Sequence, residues 1–140
     1  MALATVPVPC LASAPVDAPR LLPLPASVVP RSGQLTVAAG ATIGVPPGVA
    51  EAEAAARLLV EHVGQARGLK LRLAGNGGLI RFLRDPAVRG PEAYRLTVSS
   101  EGIRIAASAR AGFVYGAMTL VQLLSPVSYT HLTLPTILRV

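Results

Sequence analysis

An α+β fold is what this 140-residue sequence predicts: a small antiparallel or mixed sheet of about six strands with two helices on one face, in the order ββαββββα. Three observations predict it. Short runs alternate apolar and polar residues, two longer runs carry helical spacing, and 13 Gly with 13 Pro divide the chain by many turns. One ordinary core fits this length and two do not. Apolar residues at 51% and charged residues at 14% exclude disorder as a description of the whole chain.

Residues 1–18 read as an Ala/Pro-rich leader or arm, because Pro7, Pro9 and Pro15 block a continuous helix. Ala12-Ser13-Ala14 suits a signal-peptide cleavage site, yet no basic start precedes it, so a signal remnant and a disordered arm both stay open. The domain proper is expected over residues 19–124. Leu21-Leu22-Pro23-Leu24-Pro25 reads as an extended entry strand, since proline disfavours helix in the residue before it. Leu35 with Val37, and Ile43 with Val45, alternate with polar or small neighbours and predict two short strands, ended by the turn Pro46-Pro47-Gly48.

A helix follows. Glu51 and Glu53 suit its first turn, Ala52, Ala55, Ala56, Leu59, Val63 and Ala66 form its apolar stripe, and Gly68 stops it. Leu69, Leu71 and Leu73, then Ile80 and Phe82, predict two strands joined as a hairpin at Gly75-Asn76-Gly77-Gly78, where Asn-Gly is the turn signal. Tyr94, Leu96 and Val98 predict a strand that turns at Ser100-Glu101-Gly102 into a second one with Ile103, Ile105 and Ala107 on its apolar face. Ser108 is placed to cap a last helix running to about Leu124, with Phe113, Ala117, Leu120 and Leu124 as its stripe. Gly112 and Gly116, four apart, leave one side of that helix without side chains and predict close packing rather than a ligand site.

Composition narrows the chemistry. Cys10 is the single cysteine, so no internal disulfide framework forms, and with only His62 and His131 a Cys/His zinc site cannot be assembled. No cofactor is expected. Every apolar run is broken before the roughly 18 residues of a membrane span, so a soluble domain is expected. The net charge of +6 arises from 12 Arg and one Lys against seven acids.

Leu22-Pro23-Leu24-Pro25, the Ala/Leu helix, Pro91-Glu92-Ala93-Tyr94-Arg95-Leu96-Thr97-Val98 with its turn into Ile103-Arg104-Ile105, and Ala111-Gly112-Phe113-Val114-Tyr115-Gly116-Ala117-Met118-Thr119-Leu120-Val121-Gln122-Leu123-Leu124 share an order and spacing. Together, over roughly Pro19 to Leu124, they resemble the N-terminal non-catalytic domain of glycoside hydrolase family 20, the β-N-acetylhexosaminidases. The resemblance implies an α+β accessory domain preceding a (β/α)8 barrel that removes terminal N-acetylglucosamine or N-acetylgalactosamine. In that family an adjacent Asp-Glu pair of the barrel carries the reaction, the substrate's own acetamido group being the nucleophile. Asp17, Glu51, Glu53, Glu61, Asp85, Glu92 and Glu101 are the acids of this chain and no two are adjacent, so neither catalytic residue transfers onto it. The partner implied is the barrel, the glycan being met only through it. A secreted or periplasmic setting, common to the resemblance, stays open.

Residues 125–140 depart from the family pattern. Ser125-Pro126-Val127-Ser128-Tyr129-Thr130-His131-Leu132-Thr133-Leu134-Pro135-Thr136 resembles a translated sequencing adapter, and a non-native tail is expected; the competing reading is an edge strand over Tyr129 to Leu134.

Individual residues support no site. Glu51 and Glu53 stand about 200° apart around a helix and cannot act as a carboxylate pair. Glu92 and Arg95 flank a strand as solvated charge or an ion pair, His62 lies off the apolar stripe, and Ser99, Ser100 and Ser108 are turn and cap residues. Cys10 has no nearby base, no third partner exists for a nucleophile triad, and Gly75–Gly78 lacks the Gly-Lys-Ser/Thr of a phosphate loop. Catalytic, cofactor-binding and metal sites are all expected to be none. A rival reading is a basic module for nucleic acid or another polyanion, built on Arg67, Lys70, Arg72, Arg81, Arg84, Arg89 and Arg95 against Asp85 and Glu92. Its weakness is an aromatic content of 4%, on apolar faces, which leaves no platform for base stacking. A carbohydrate-binding module meets the same objection, since Trp is absent.

Overall fold

A computed structural model describes residues 21–124 and, as backbone, 132–139. The arm of residues 1–18 with Cys10, and Tyr129 and His131 of the tail, lie outside the described residues. Along the chain come β1 (Ser27–Leu35), β2 (Thr42–Gly44), α1 (Ala50–Arg67), β3 (Arg72–Ala74), β4 (Ile80–Arg84), β5 (Tyr94–Ser99), β6 (Gly102–Ala107), α2 (Arg110–Leu123) and β7 (Leu132–Arg139). The strands form one mixed sheet in the order β1-β7-β5-β6-β4-β2-β3. The predicted α+β class and its two helices are therefore present, with β7 as an additional strand.

Both helices cover one face of the sheet. Ile43, Ile80, Phe82, Leu96, Ile103 and Ile105 point to that face and are buried, joined by Ala52, Ala55, Ala56, Leu59 and Val63 of α1 and by Phe113, Ala117 and Leu120 of α2. Phe82 and Phe113 meet with ring centroids 6.1 Å apart, tilted by 50°. Within this core the hydroxyls of Tyr94 and Thr119 form a buried hydrogen bond, Oη to Oγ1 at 2.6 Å. α1 ends as predicted, with Gly68 in the left-handed region at φ 64° donating its N–H to the Gly64 carbonyl.

Gly112 and Gly116 bring α2 onto β5 and β6. A Cβ on Gly112 would stand 2.1 Å from the Ala93 carbonyl oxygen, and one on Gly116 would stand 2.6 Å from Ile105 Cγ2. Ser108 is not the cap of this helix. Ala109 takes the N-cap position without a side-chain bond, while Ser108 Oγ donates to the Gly90 carbonyl at 3.4 Å. The orphan N–H of Gly112 is satisfied instead by the Pro91 carbonyl at 3.2 Å.

The hairpin predicted for Tyr94–Val98 and Ile103–Ala107 is in place, with Ser99 opposite Gly102 and Tyr94 opposite Ala107. The one predicted at Gly75-Asn76-Gly77-Gly78 is not. β3 and β4 flank β2 and both run parallel to it, so the chain steps across β2 rather than reversing. Parallel neighbours usually need about a dozen connecting residues. Five suffice here because the loop passes directly over a glycine: a Cβ on Gly44 would lie 2.0 Å from the Gly77 carbonyl oxygen. The Gly75 carbonyl also accepts from Val45 N–H at 3.1 Å. Gly44 precedes the turn by one residue from buried Ile43, so its missing side chain, and the loop, belong to the face away from the helices.

Two N-terminal expectations move. Leu21–Pro25 is not a strand, because the Gln122 side-chain amide fixes it by accepting from Leu22 N–H at 2.9 Å and donating to the Leu22 carbonyl at 2.8 Å. The Leu22–Pro23 bond there is cis. The strand expected at Leu35 and Val37 begins earlier, at Ser27, and passes through Pro30. β1 pairs only with β7, where Pro30 stands opposite Pro135 and neither offers an N–H. β7 is an inner strand between β1 and β5, whereas the strand that competed with the adapter reading of the tail, over Tyr129 to Leu134, was expected at an edge.

Candidate functional site

The residues weighed as chemistry in the sequence are kept apart by the fold. Glu53 binds Arg57 at 2.7 Å one turn along α1, while Glu51 reaches Arg84 of β4 at 3.8 Å. Arg95 pairs with Asp85 at 3.8 Å rather than with Glu92, which is exposed. His62 is exposed on α1, with Nδ1 2.9 Å from the Leu58 carbonyl. Ser99 Oγ serves its turn, donating to the Gly102 carbonyl and accepting from Glu101 N–H, both at 3.3 Å.

A hollow of about 530 Å³ opens where β2 and β3 end, floored by Val45, Pro46, Leu73 and Gly75. Glu53 and Arg57 are its only ionisable groups, and each is engaged by the other. A second hollow, about 770 Å³, lies between α1 and the Leu69–Arg72 segment, and Glu61 is its only carboxylate. Two carboxylates converge in neither. Among the described residues no three His, Cys, Asp or Glu side chains group as metal ligands. No helix there is long and apolar enough to cross a membrane.

What the fold does present is a surface on α2. Arg110 is the single charge in this helix. Its inner side is buried, and Val114, Met118 and Val121 are half-buried on the outside beside Tyr115, 37% exposed. Phe113 and Gly116 belong to the inner side: Gly116 lies against Tyr94 and Ile105, and Phe113 is fully enclosed.

The same fold is found in β-N-acetylhexosaminidases. The Streptomyces plicatus N-acetyl-beta-hexosaminidase in complex with Thio-NAglucal aligns with a TM-score of 0.77 and 29% identity over 93% of this chain and 27% of that one. The GH20 exo beta-N-acetylglucosaminidase from Vibrio harveyi, in complex with N-acetylglucosamine, aligns with 0.75 and 28% over 86% of this chain and 19% of that one. The GH20 beta-N-acetylhexosaminidase from Streptomyces coelicolor A3(2) gives 0.70 and 29% over 82% and 25%. This chain thus spans about a quarter or less of the length of these relatives. No curated protein sequence matches it. The family profile described as glycosyl hydrolase family 20, domain 2, matches residues 18–138, nearly the whole of the sequence and of the sheet just described. The chain belongs to glycosyl hydrolase family 20, and the part of that family it carries is domain 2.

Proposed function

We propose that this chain is the accessory domain of a β-N-acetylhexosaminidase-type glycosidase, that it braces a catalytic barrel, and that it cleaves no glycoside alone. The match to domain 2 carries this reading. The separation of the carboxylates supports the inert part of it: Glu51 and Glu53 are drawn to different arginines, and no Asp-Glu neighbours occur in the sequence. The outer surface of α2 is our candidate for the brace, since Tyr115 is 37% exposed there and Val114, Met118 and Val121 are only partly buried. A barrel seated there would bury this apolar strip without requiring any charge of α2 to be desolvated.

Incubating the purified chain with a chromogenic N-acetylglucosaminide tests the inert reading. The expected result is release of chromophore no faster than with heat-denatured protein. Turnover above that control would place bond-breaking groups within these residues and overturn it.

A further inference from the structure

The face of the sheet away from the helices carries a run of arginines. Gly44, Arg81, Arg104 and Thr97 stand directly beside one another on β2, β4, β6 and β5. Ile43, Phe82, Ile105 and Leu96 occupy the helix side, so alternation puts this row on the opposite side. Arg72 of β3 and Arg95 of β5 share the face, by register with Thr42 and Ala106. Four arginines are balanced there by two carboxylates, Glu101 at 3.5 Å from Arg104 and Asp85 at 3.8 Å from Arg95.

Arg81 is the unusual member. It lies opposite Arg104 across neighbouring strands, about 4.8 Å apart, an arrangement of like charges that costs stability unless something negative lies between them. Its Nε is buried and has no hydrogen-bond partner. An unpaired buried donor on a cation is expensive, and a guanidinium edge is shaped to receive two oxygens of one anion. The glycine loop crossing β2 runs on this same face over Gly44, the β2 residue beside Arg81.

We propose that the outer sheet face holds an oxyanion, a carboxylate, phosphate or sulfate group, between the guanidinium groups of Arg81 and Arg104, with the Thr97 hydroxyl as a further donor. The anion replaces the missing partner of Arg81 Nε and offsets the repulsion across the β4–β6 pair. Bases are not what this face reads, because no aromatic side chain of β4, β5 or β6 lies on it; Phe82 and Tyr94 are both turned to the helices.

The test uses the full 140-residue chain, isotopically labelled, with the arginine Nε–H signals followed during titration with sodium sulfate at ionic strength held constant by sodium chloride. Saturable shifts of Arg81 and Arg104 are expected, with affinity falling at least about tenfold in Arg81→Gln and in Arg104→Gln, the loss of one charge-assisted bond. Arg104 is half-exposed, so the second variant stays informative even where the first fails to fold. Arg67 is the internal control: its Nε is also buried and unpartnered, but it sits in the last turn of α1 away from this face. Shifts of Arg67 in step with Arg81, wild-type affinity in both variants, or no saturable response to sulfate would each overturn the proposal. A parallel titration with hexaglutamate distinguishes the source of the anion. Binding at least about tenfold tighter than sulfate supports an acidic protein segment, and equal or weaker binding supports a free ion.

Discussion

Glycines within the two helices have opposite physical roles, and substitution by alanine separates them. Gly64 of α1 has open space where a Cβ would be, so Gly64→Ala should stabilise the fold by about 1 kcal/mol through helix propensity alone. Gly112 of α2 faces the Ala93 carbonyl at 2.1 Å from the same virtual atom, and backbone cannot yield as a side-chain tip does. Gly112→Ala should therefore cost about 1–3 kcal/mol despite the same gain in propensity. Thermal unfolding of both variants checks the pair, and a common sign would refute the packing account. Close packing at Gly112 and Gly116 was legible from their spacing. Which surface they approach was not, since Arg110 and Gln122 stand near the two ends of α2 and its middle offers no charged side from which to orient it.

At the level of elements, the alternation of β5 and β6 and the stripe of α1 were readable because each has one buried and one wet side. The hairpin expected at Asn76-Gly77 shows where such reading stops. Asn-Gly favours a reversal locally, but the three residues of β3 supply too few ladder bonds to enforce it, and β2 takes the place between β3 and β4. The decisive residue, Gly44, lies about thirty positions earlier and carries no turn signal of its own. Gly44→Ala should push the loop off β2 and cost several kcal/mol, on the order of a badly overpacked core site. The measurement is a denaturant midpoint, with Gly75→Ala, which has open space at its Cβ, as the neutral comparison. An equal loss in both would mean that the crossing does not depend on Gly44. The candidate site was legible only in part for the same reason: the arginines are visible in the sequence, but Arg81 and Arg104 become neighbours only through strand order.

For the molecule as a whole, the apolar outside of α2 predicts association. Met118 stands half-buried at the middle of that surface, so the chain should form dimers or larger species at high concentration, and Met118→Glu should shift it toward monomer. Light scattering across a concentration series reads this directly; a clean wild-type monomer would count against α2 as a docking surface. Sheet order has a different consequence, in time rather than space. Among the described strands β1 pairs with β7 alone, so the earliest strand to be synthesised has no ladder partner until Leu132–Arg139 has emerged. Until then β5 offers a bare rim of amide and carbonyl groups, and the nascent chain is open to mispairing with its neighbours over that interval.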